Sequence, residues 1–207
     1  KIHFLKLTQA EFEKKAPFYD ALLVRFNFKI DHPILTGNSK VKAILSPTTG
    51  LDHINLKLAE KYDISVYHLK NKKNILKKLN ATSELTMTLI LNLFRNIQNA
   101  TESVKFGNWN PSQFRGYELN KKTLGIIGLG RLGKNVAKYA NAFGMRVIFY
   151  DPYVNKFSKI YEKISDFKKF LNLSDVVSIH TPLNEETSNL IGAKELNYLK
   201  NSYLINT

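Results

Sequence analysis

Gly128, Gly130 and Gly133 stand in the spacing G-x-G-x-x-G directly behind an apolar run at residues 124–127. In such a run the first glycine permits a tight turn and the second lets backbone approach a pyrophosphate. The third lets the next helix pack on the strand. The helix start then offers unpaired N–H groups and a positive dipole end to the phosphates. Asp151 lies eighteen residues beyond Gly133, at the end of a second apolar run. A carboxylate there accepts hydrogen bonds from ribose hydroxyls and repels a 2′-phosphate, so NAD is favoured over NADP. The same acid, standing before Pro152, could instead cap its own loop.

These residues need a strand, a helix and a second strand to hold them, and the pattern supplies all three. Residues 124–127 suit a buried parallel strand. Leu132, Val136, Ala140 and Phe143 recur at helical spacing, and Gly144 sits where a helix C-cap would be. Residues 146–150 read as a strand leading into Asp151. Alternation continues with a helix at 165–173, a strand at 176–180, a helix at 193–199 and a strand at 203–206. This is the signature of an α/β fold with a Rossmann-type doubly wound parallel sheet. Because the sequence as read stops on a strand, the sheet is expected to be incomplete at its C-terminal side.

The first eighty residues also alternate. Strands are predicted at 1–7, 21–26, 41–45 and 64–67, with helices at 9–15 and 56–62, which makes a smaller α/β domain. Thr48, Thr49 and Gly50 follow the third of these strands. They form either a cradle of backbone N–H groups for an anion or a plain β-to-α turn. From about residue 82 a long helix begins, with Thr82 or Ser83 as N-cap and Glu84 in the first turn. Leu85, Leu89, Leu93 and Ile97 recur every four residues beside Ile90 and Phe94. So wide a stripe predicts burial on more than one side, against a second domain or a second subunit; a helix within one domain's core is the simpler alternative. Residues 107–119, turn-rich and aromatic, read as an exposed arm. The predicted domains are 1–98 and 99–207.

At 207 residues and 43% hydrophobic the chain has enough material for one sizeable core or two smaller ones. It holds no cysteine, which excludes disulfide and thiolate chemistry. The most apolar segment, at 85–94, is far too short to span a membrane, and a soluble cytoplasmic protein is expected. The formal charge of +14 raises nucleic-acid binding as a question. The lysines are scattered, however, and the densest cluster, at 70–78, has no interleaved aromatics on which bases would stack. Neither a nucleic-acid nor a membrane partner is expected.

Linked motifs carry a further identification. Thr49-Gly-Leu-Asp-His-Ile54, Glu84 opening the long helix, Gly107-Asn-Trp109 and residues 119–133 are four of them. Ala142-Phe-Gly-Met145, Tyr150-Asp-Pro-Tyr153, residues 174–183 and Ile205-Asn-Thr207 complete the set. Together they resemble the NAD-dependent D-isomer-specific 2-hydroxyacid dehydrogenases, including the phosphoglycerate dehydrogenase-like branch, over essentially the whole sequence.

The resemblance implies a flavodoxin-like substrate domain, residues 1–98 here, hinged to an NAD-binding Rossmann domain, residues 99–207. On that reading the amides of Thr48, Thr49 and Gly50 hold the carboxylate of a small 2-hydroxy or 2-oxo acid. Arg131 and Leu132 lie against the pyrophosphate, with Asp151 and Pro152 on the ribose. His180, Thr181 and Pro182 line the adenosine side, and Thr207 lies near the nicotinamide. The family forms a homodimer through the nucleotide domain and the arm around Trp109.

The family's reaction is a reversible hydride transfer between the substrate C2 and NAD, served by an arginine, a glutamate and a histidine. By the family's order these three would fall beyond Thr207, so no catalytic residue is expected within the sequence, and the chain alone is expected to bind part of NAD without turnover. None of His3, His32, His53, His68 and His180 matches the catalytic position. Residues 68–81 replace a shorter family loop, so Lys70 or Lys72 could face the cleft or solvent. The alternative reading is a non-catalytic, dehydrogenase-like NAD-binding regulator or scaffold.

Overall fold

A computed structural model describes every residue except Asn71 and Lys200, and the chain separates into two compact units, Lys1–Lys78 and Leu79–Thr207. The units part twenty residues before the 98/99 boundary predicted from sequence, because the long helix packs within the second unit.

The first unit opens with α1 (Gln9–Lys15). Thr8 caps it reciprocally: its hydroxyl accepts from the Glu11 amide, and the Glu11 carboxylate accepts from the Thr8 amide at 2.8 Å. Strands β1 (Ala21–Leu23), β2 (Ala43–Ser46) and β3 (Ser65–His68) form a parallel sheet in that order, with α2 (Leu56–Lys61) and α3 (Lys73–Leu76) between and after the last two. Ile30, Ile34, Leu35 and Ile44 are fully buried at the centre of its core. The strand predicted at residues 1–7 is absent. That segment pairs with no strand and leaves Ile2 and Phe4 exposed, and a strand without a ladder partner has nothing to hold it. Residues 24–26 likewise fall outside β1, with Phe26 exposed.

The second unit begins with α4 (Ala81–Arg95) and α5 (Ile97–Lys105), separated by Asn96 in the left-handed conformation at φ 53°. The rest is β4 (Thr123–Ile127), α6 (Arg131–Ala142), β5 (Arg146–Tyr150), β6 (Glu162–Lys163), α7 (Phe167–Leu173), β7 (Val176–Ile179), α8 (Ala193–Leu196) and β8 (Tyr203–Asn206). All five strands run parallel in the order β6-β5-β4-β7-β8, the doubly wound arrangement expected. Alternate residues feed two cores. Leu124, Ile126, Val147 and Phe149 pack on the side of α4 and α6, while Ile127, Ile148 and Val177 pack on the side of α7 with Phe170 and Leu171. With both faces covered, the central strands β4 and β5 read as apolar runs after their first residues, Thr123 and Arg146.

Three details depart from the sequence reading. The long helix starts at Ala81 after Asn80, which makes no side-chain capping bond; Thr82 and Ser83 lie inside it, with Ser83 fully buried. Its buried stripe is Met87, Ile90 and Phe94, and Leu85 and Leu93 face outward. Packing against α6 and β8 selects one side of a helix whose apolar residues run around more than half its circumference. Strand β6 was not legible at all, since two residues paired with Ile148 and Phe149 carry no pattern of their own. Among the described residues, no helix is long and apolar enough to cross a membrane.

Candidate nucleotide site and the threonine loop

The glycine run occupies the C-terminal end of β4, where the sheet order reverses. Gly128 has φ +88°, a left-handed conformation that disfavours a side chain, and a Cβ there would stand 2.9 Å from Thr181 Cγ2. At Gly133 a Cβ would lie 2.2 Å from the Gly128 carbonyl oxygen, so only glycine lets α6 sit this close to the loop. Gly130, the residue before α6, is different: nothing lies within 4 Å of where its Cβ would be. The turn and the packing need the first and third glycines; the open space beside the second is what a pyrophosphate would fill.

Three strand ends converge on this loop. Gly128 N donates to the Tyr150 carbonyl at 2.9 Å, and His180 N donates to the Ile127 carbonyl at 2.8 Å. The Asp151 carboxylate accepts from Leu129 N (2.9 Å) through Oδ2, and from Tyr153 N (2.9 Å) and Val154 N (3.1 Å) through Oδ1. Asp151 therefore does cap its own loop, and the same bonds aim it at the glycine turn, leaving lone pairs for hydroxyl donors.

Gly128, Gly130, Asp151, Pro152, His180, Thr181 and Pro182 all line one cleft of about 360 Å³. Arg131, Leu132 and Gly133 form the first turn of α6 beside it, with Arg131 Nη1 donating to the Leu79 carbonyl at 2.8 Å. His180 Nε2 bonds the buried Ser178 hydroxyl at 2.9 Å, while Nδ1 is buried without a partner. Burial pulls the His180 pKa down to about 4, so the ring is neutral at neutral pH. Thr207 stands apart from the cleft lining. The Thr86 hydroxyl donates to the Thr82 carbonyl, so the Thr207 hydroxyl donates to Thr86 Oγ1, at 3.2 Å.

The cleft also includes Tyr153, Asn184, Glu186, Thr187 and Leu190, which were not predicted as site residues. A signal was present in Asn184-Glu-Glu-Thr187. Asn184 N donates to Thr187 Oγ1 and Thr187 N donates to Asn184 Oδ1, both at 2.9 Å, a reciprocal turn that presents Glu186.

In the first unit, Thr48 is buried and Thr49 is exposed. The Thr48 hydroxyl donates to the Gly50 carbonyl at 2.7 Å, so the Ser46 hydroxyl must donate to Thr48 (2.7 Å) and His53 Nε2–H to Ser46 (3.2 Å). This one-way chain turns the Gly50 carbonyl inward, and the backbone N–H groups of Thr49 and Gly50 donate to no described residue. Burial lowers the His53 pKa, outweighing the Asp52 charge, which favours the neutral ring, and the hydroxyl chain then sets its tautomer with the proton on Nε2. The residues can thus present amides to an anion. Lys70 lies just beyond Leu69, whose amide donates to the Thr48 carbonyl. No group of three or more metal-ligating side chains occurs among the described residues.

Comparison with known proteins agrees with this geometry. Residues 87–207 match the D-isomer specific 2-hydroxyacid dehydrogenase, NAD binding domain, and residues 2–108 match the catalytic domain of the same family. A D-3-phosphoglycerate dehydrogenase of Methanocaldococcus jannaschii is 36% identical over 96% of this chain and 38% of its own length. A glyoxylate reductase of Thermococcus litoralis is 37% identical over 91% of this chain and 58% of its own. The crystal structure of D-lactate dehydrogenase from Aquifex aeolicus, complexed with NAD and lactic acid, superposes with a TM-score of 0.76 at 31% identity, over 94% of this chain and 58% of that one. The chain thus spans well under two thirds of these relatives. With a Rossmann sheet, a glycine turn with open space beside Gly130 and an acid at the second strand's end, the chain belongs to the D-isomer specific 2-hydroxyacid dehydrogenase family, and its second unit is that family's NAD-binding domain.

Proposed function

We propose that this chain is the cofactor domain and N-terminal substrate segment of an oxidoreductase that transfers a hydride between NAD and a small D-2-hydroxy acid or its 2-oxo counterpart. The observation that carries the reading is Gly130, which caps the start of α6 with open space where a side chain would be, in the cleft that Asp151 also lines.

NAD supplies the hydride acceptor or donor, and the chain's own residues hold and orient it. Amides at the start of α6, with Arg131 and Leu132, take the pyrophosphate. Asp151 and Pro152 meet the ribose, and His180, Thr181 and Pro182 flank the adenosine. Thr207, anchored by Thr86, serves the nicotinamide end. In the first unit the Thr49 and Gly50 amides, aimed by Thr48, take the substrate carboxylate. His180 is unsuited to carrying the substrate proton, because burial keeps it neutral and Ser178 occupies its Nε2.

The chain pairs with a second copy through the nucleotide domain. Leu93 on α4, Ile97 on α5, and Phe106 and Trp109 beyond it are exposed and apolar, which fits a covered face. The decisive experiment is NADH-coupled turnover by the full-length protein on glyoxylate, hydroxypyruvate, pyruvate and 3-phosphohydroxypyruvate. Oxidation of NADH with at least one of them is expected. NADH binding with no turnover on any of them would overturn the enzyme reading in favour of an NAD-binding regulator or scaffold.

A further inference from the structure

Asp151 follows β5 and Glu186 follows β7, yet both carboxylates line the nucleotide cleft, and Tyr153 joins them across it. The Tyr153 amide donates to Asp151 Oδ1 at 2.9 Å, and its phenol donates to Glu186 Oε2 at 2.5 Å. Glu186 is presented by the reciprocal Asn184–Thr187 turn, and the Thr187 hydroxyl also donates to the Pro182 carbonyl. A strap of two side chains therefore runs from one wall of the cleft to the other.

The charge around this strap is the reverse of the chain's average. The protein carries a formal +14, but among the described residues lining the cleft there is no lysine or arginine, and the histidine there, His180, is neutral at neutral pH. The phenol of Tyr153 keeps its proton more firmly than usual, first because Glu186 accepts it and further because of the Asp151 charge nearby, so it remains a donor.

We propose that Glu186, held in place by Tyr153, is a second specificity-determining residue that rejects a 2′-phosphorylated dinucleotide alongside Asp151. The inference rests on the NAD reading of the cleft. Asp151 accepts two hydrogen bonds from its own loop and one from the glycine turn, so part of its charge is already compensated locally. Glu186 accepts only the Tyr153 phenol among the described residues, and its charge is correspondingly less offset. A phosphate brings close to two negative charges at neutral pH, and it meets both carboxylates with no cation in the lining to offset them.

The test is titration of the full chain with NADH and with NADPH at low and high salt, in wild type and three variants. Wild type should bind NADH at least about tenfold more tightly than NADPH. Glu186→Gln should tighten NADPH binding roughly fivefold at low salt, less at high salt, and leave NADH within about twofold. Tyr153→Phe keeps the charge but frees Glu186, and should show a smaller shift in the same direction. Glu185→Gln removes an equal charge from a neighbour outside the cleft lining and should leave the NADH-to-NADPH ratio unchanged. Equal ratios in Glu186→Gln and Glu185→Gln, or a wild type that does not discriminate, would overturn the proposal while the NAD reading stands. A wild type that binds neither nucleotide would instead overturn the NAD reading itself.

Discussion

The Leu129 amide donates to Asp151 Oδ2 across 2.9 Å, so the middle of the glycine turn is fastened to the acid that ends the neighbouring strand. One carboxylate both shapes the glycine loop and lines the cleft beside it. Asp151→Ala should therefore damage two things together. NADH affinity is expected to fall at least about tenfold, and the melting temperature to drop as three amides lose a charged acceptor worth roughly 1.5–3 kcal/mol per bond at most. Fluorescence titration and a thermal melt on the same preparation measure both. Unchanged affinity would show that the acid serves the loop alone.

The three glycines should separate by their reasons for being glycine. Gly133→Ala is expected to lower stability by several kcal/mol, because its Cβ would collide with the Gly128 carbonyl oxygen. Gly128→Ala should cost about 1–2 kcal/mol for its left-handed backbone and more for contact with Thr181. Gly130→Ala meets no protein atom and should leave the melt nearly unchanged while weakening NADH binding. Denaturant curves and NADH titrations on the three variants decide the pattern.

His180 makes stability depend on pH in a set direction. Its pKa falls from 6.5 in the unfolded chain to about 4 in the fold, so the unfolded chain binds more protons between those values. The contribution is fully present above about pH 6.5 and is lost as pH falls toward 4. It amounts to roughly 3 kcal/mol at most for this partly buried ring. Urea denaturation at pH 7.5 and pH 5 should show this loss in wild type and a smaller one in His180→Gln. The remainder should include His53, whose pKa burial lowers in the same direction.

Breaking the hydroxyl chain of the first unit should act on stability and on anion binding, and leave the nucleotide alone. Thr48→Val removes the donor to Gly50 and strands the Ser46 hydroxyl, at a cost of about 1–2 kcal/mol. NADH affinity is expected to stay within about twofold. A large loss of NADH binding would contradict the assignment of this loop to the substrate.

The exposed side of α4 gives a last prediction. Leu93→Glu puts a charge on an apolar, outward surface and should convert a dimer to a monomer in sedimentation equilibrium, with little loss of helix. A wild type that sediments as a monomer would remove the dimer from the proposal.

Much of the nucleotide site was legible in the residues themselves. The G-x-G-x-x-G spacing, the apolar runs within β4 and β5 and the acid closing β5 are local features, and local backbone chemistry dictates where they go; α1, β5 and β8 fall within their predicted bounds. Other features depend on partners distant in sequence. Whether residues 1–7 form a strand depends on a neighbour to pair with, and here there is none. Which side of the long helix is buried was decided by α6 and β8, because a helix apolar over most of its surface cannot choose its own core face. Strand β6 exists only because β5 offers it a ladder. The reach of Tyr153 to Glu186, thirty-three residues on, follows from the parallel crossover that sets the ends of β5 and β7 on either side of β4. The sequence by itself determined the phosphate turn and the order of elements, since both are written in short-range spacing. Only the tertiary structure decided which carboxylates share the cleft and which apolar faces stay open, because those depend on how chain ends of separate strands are brought together.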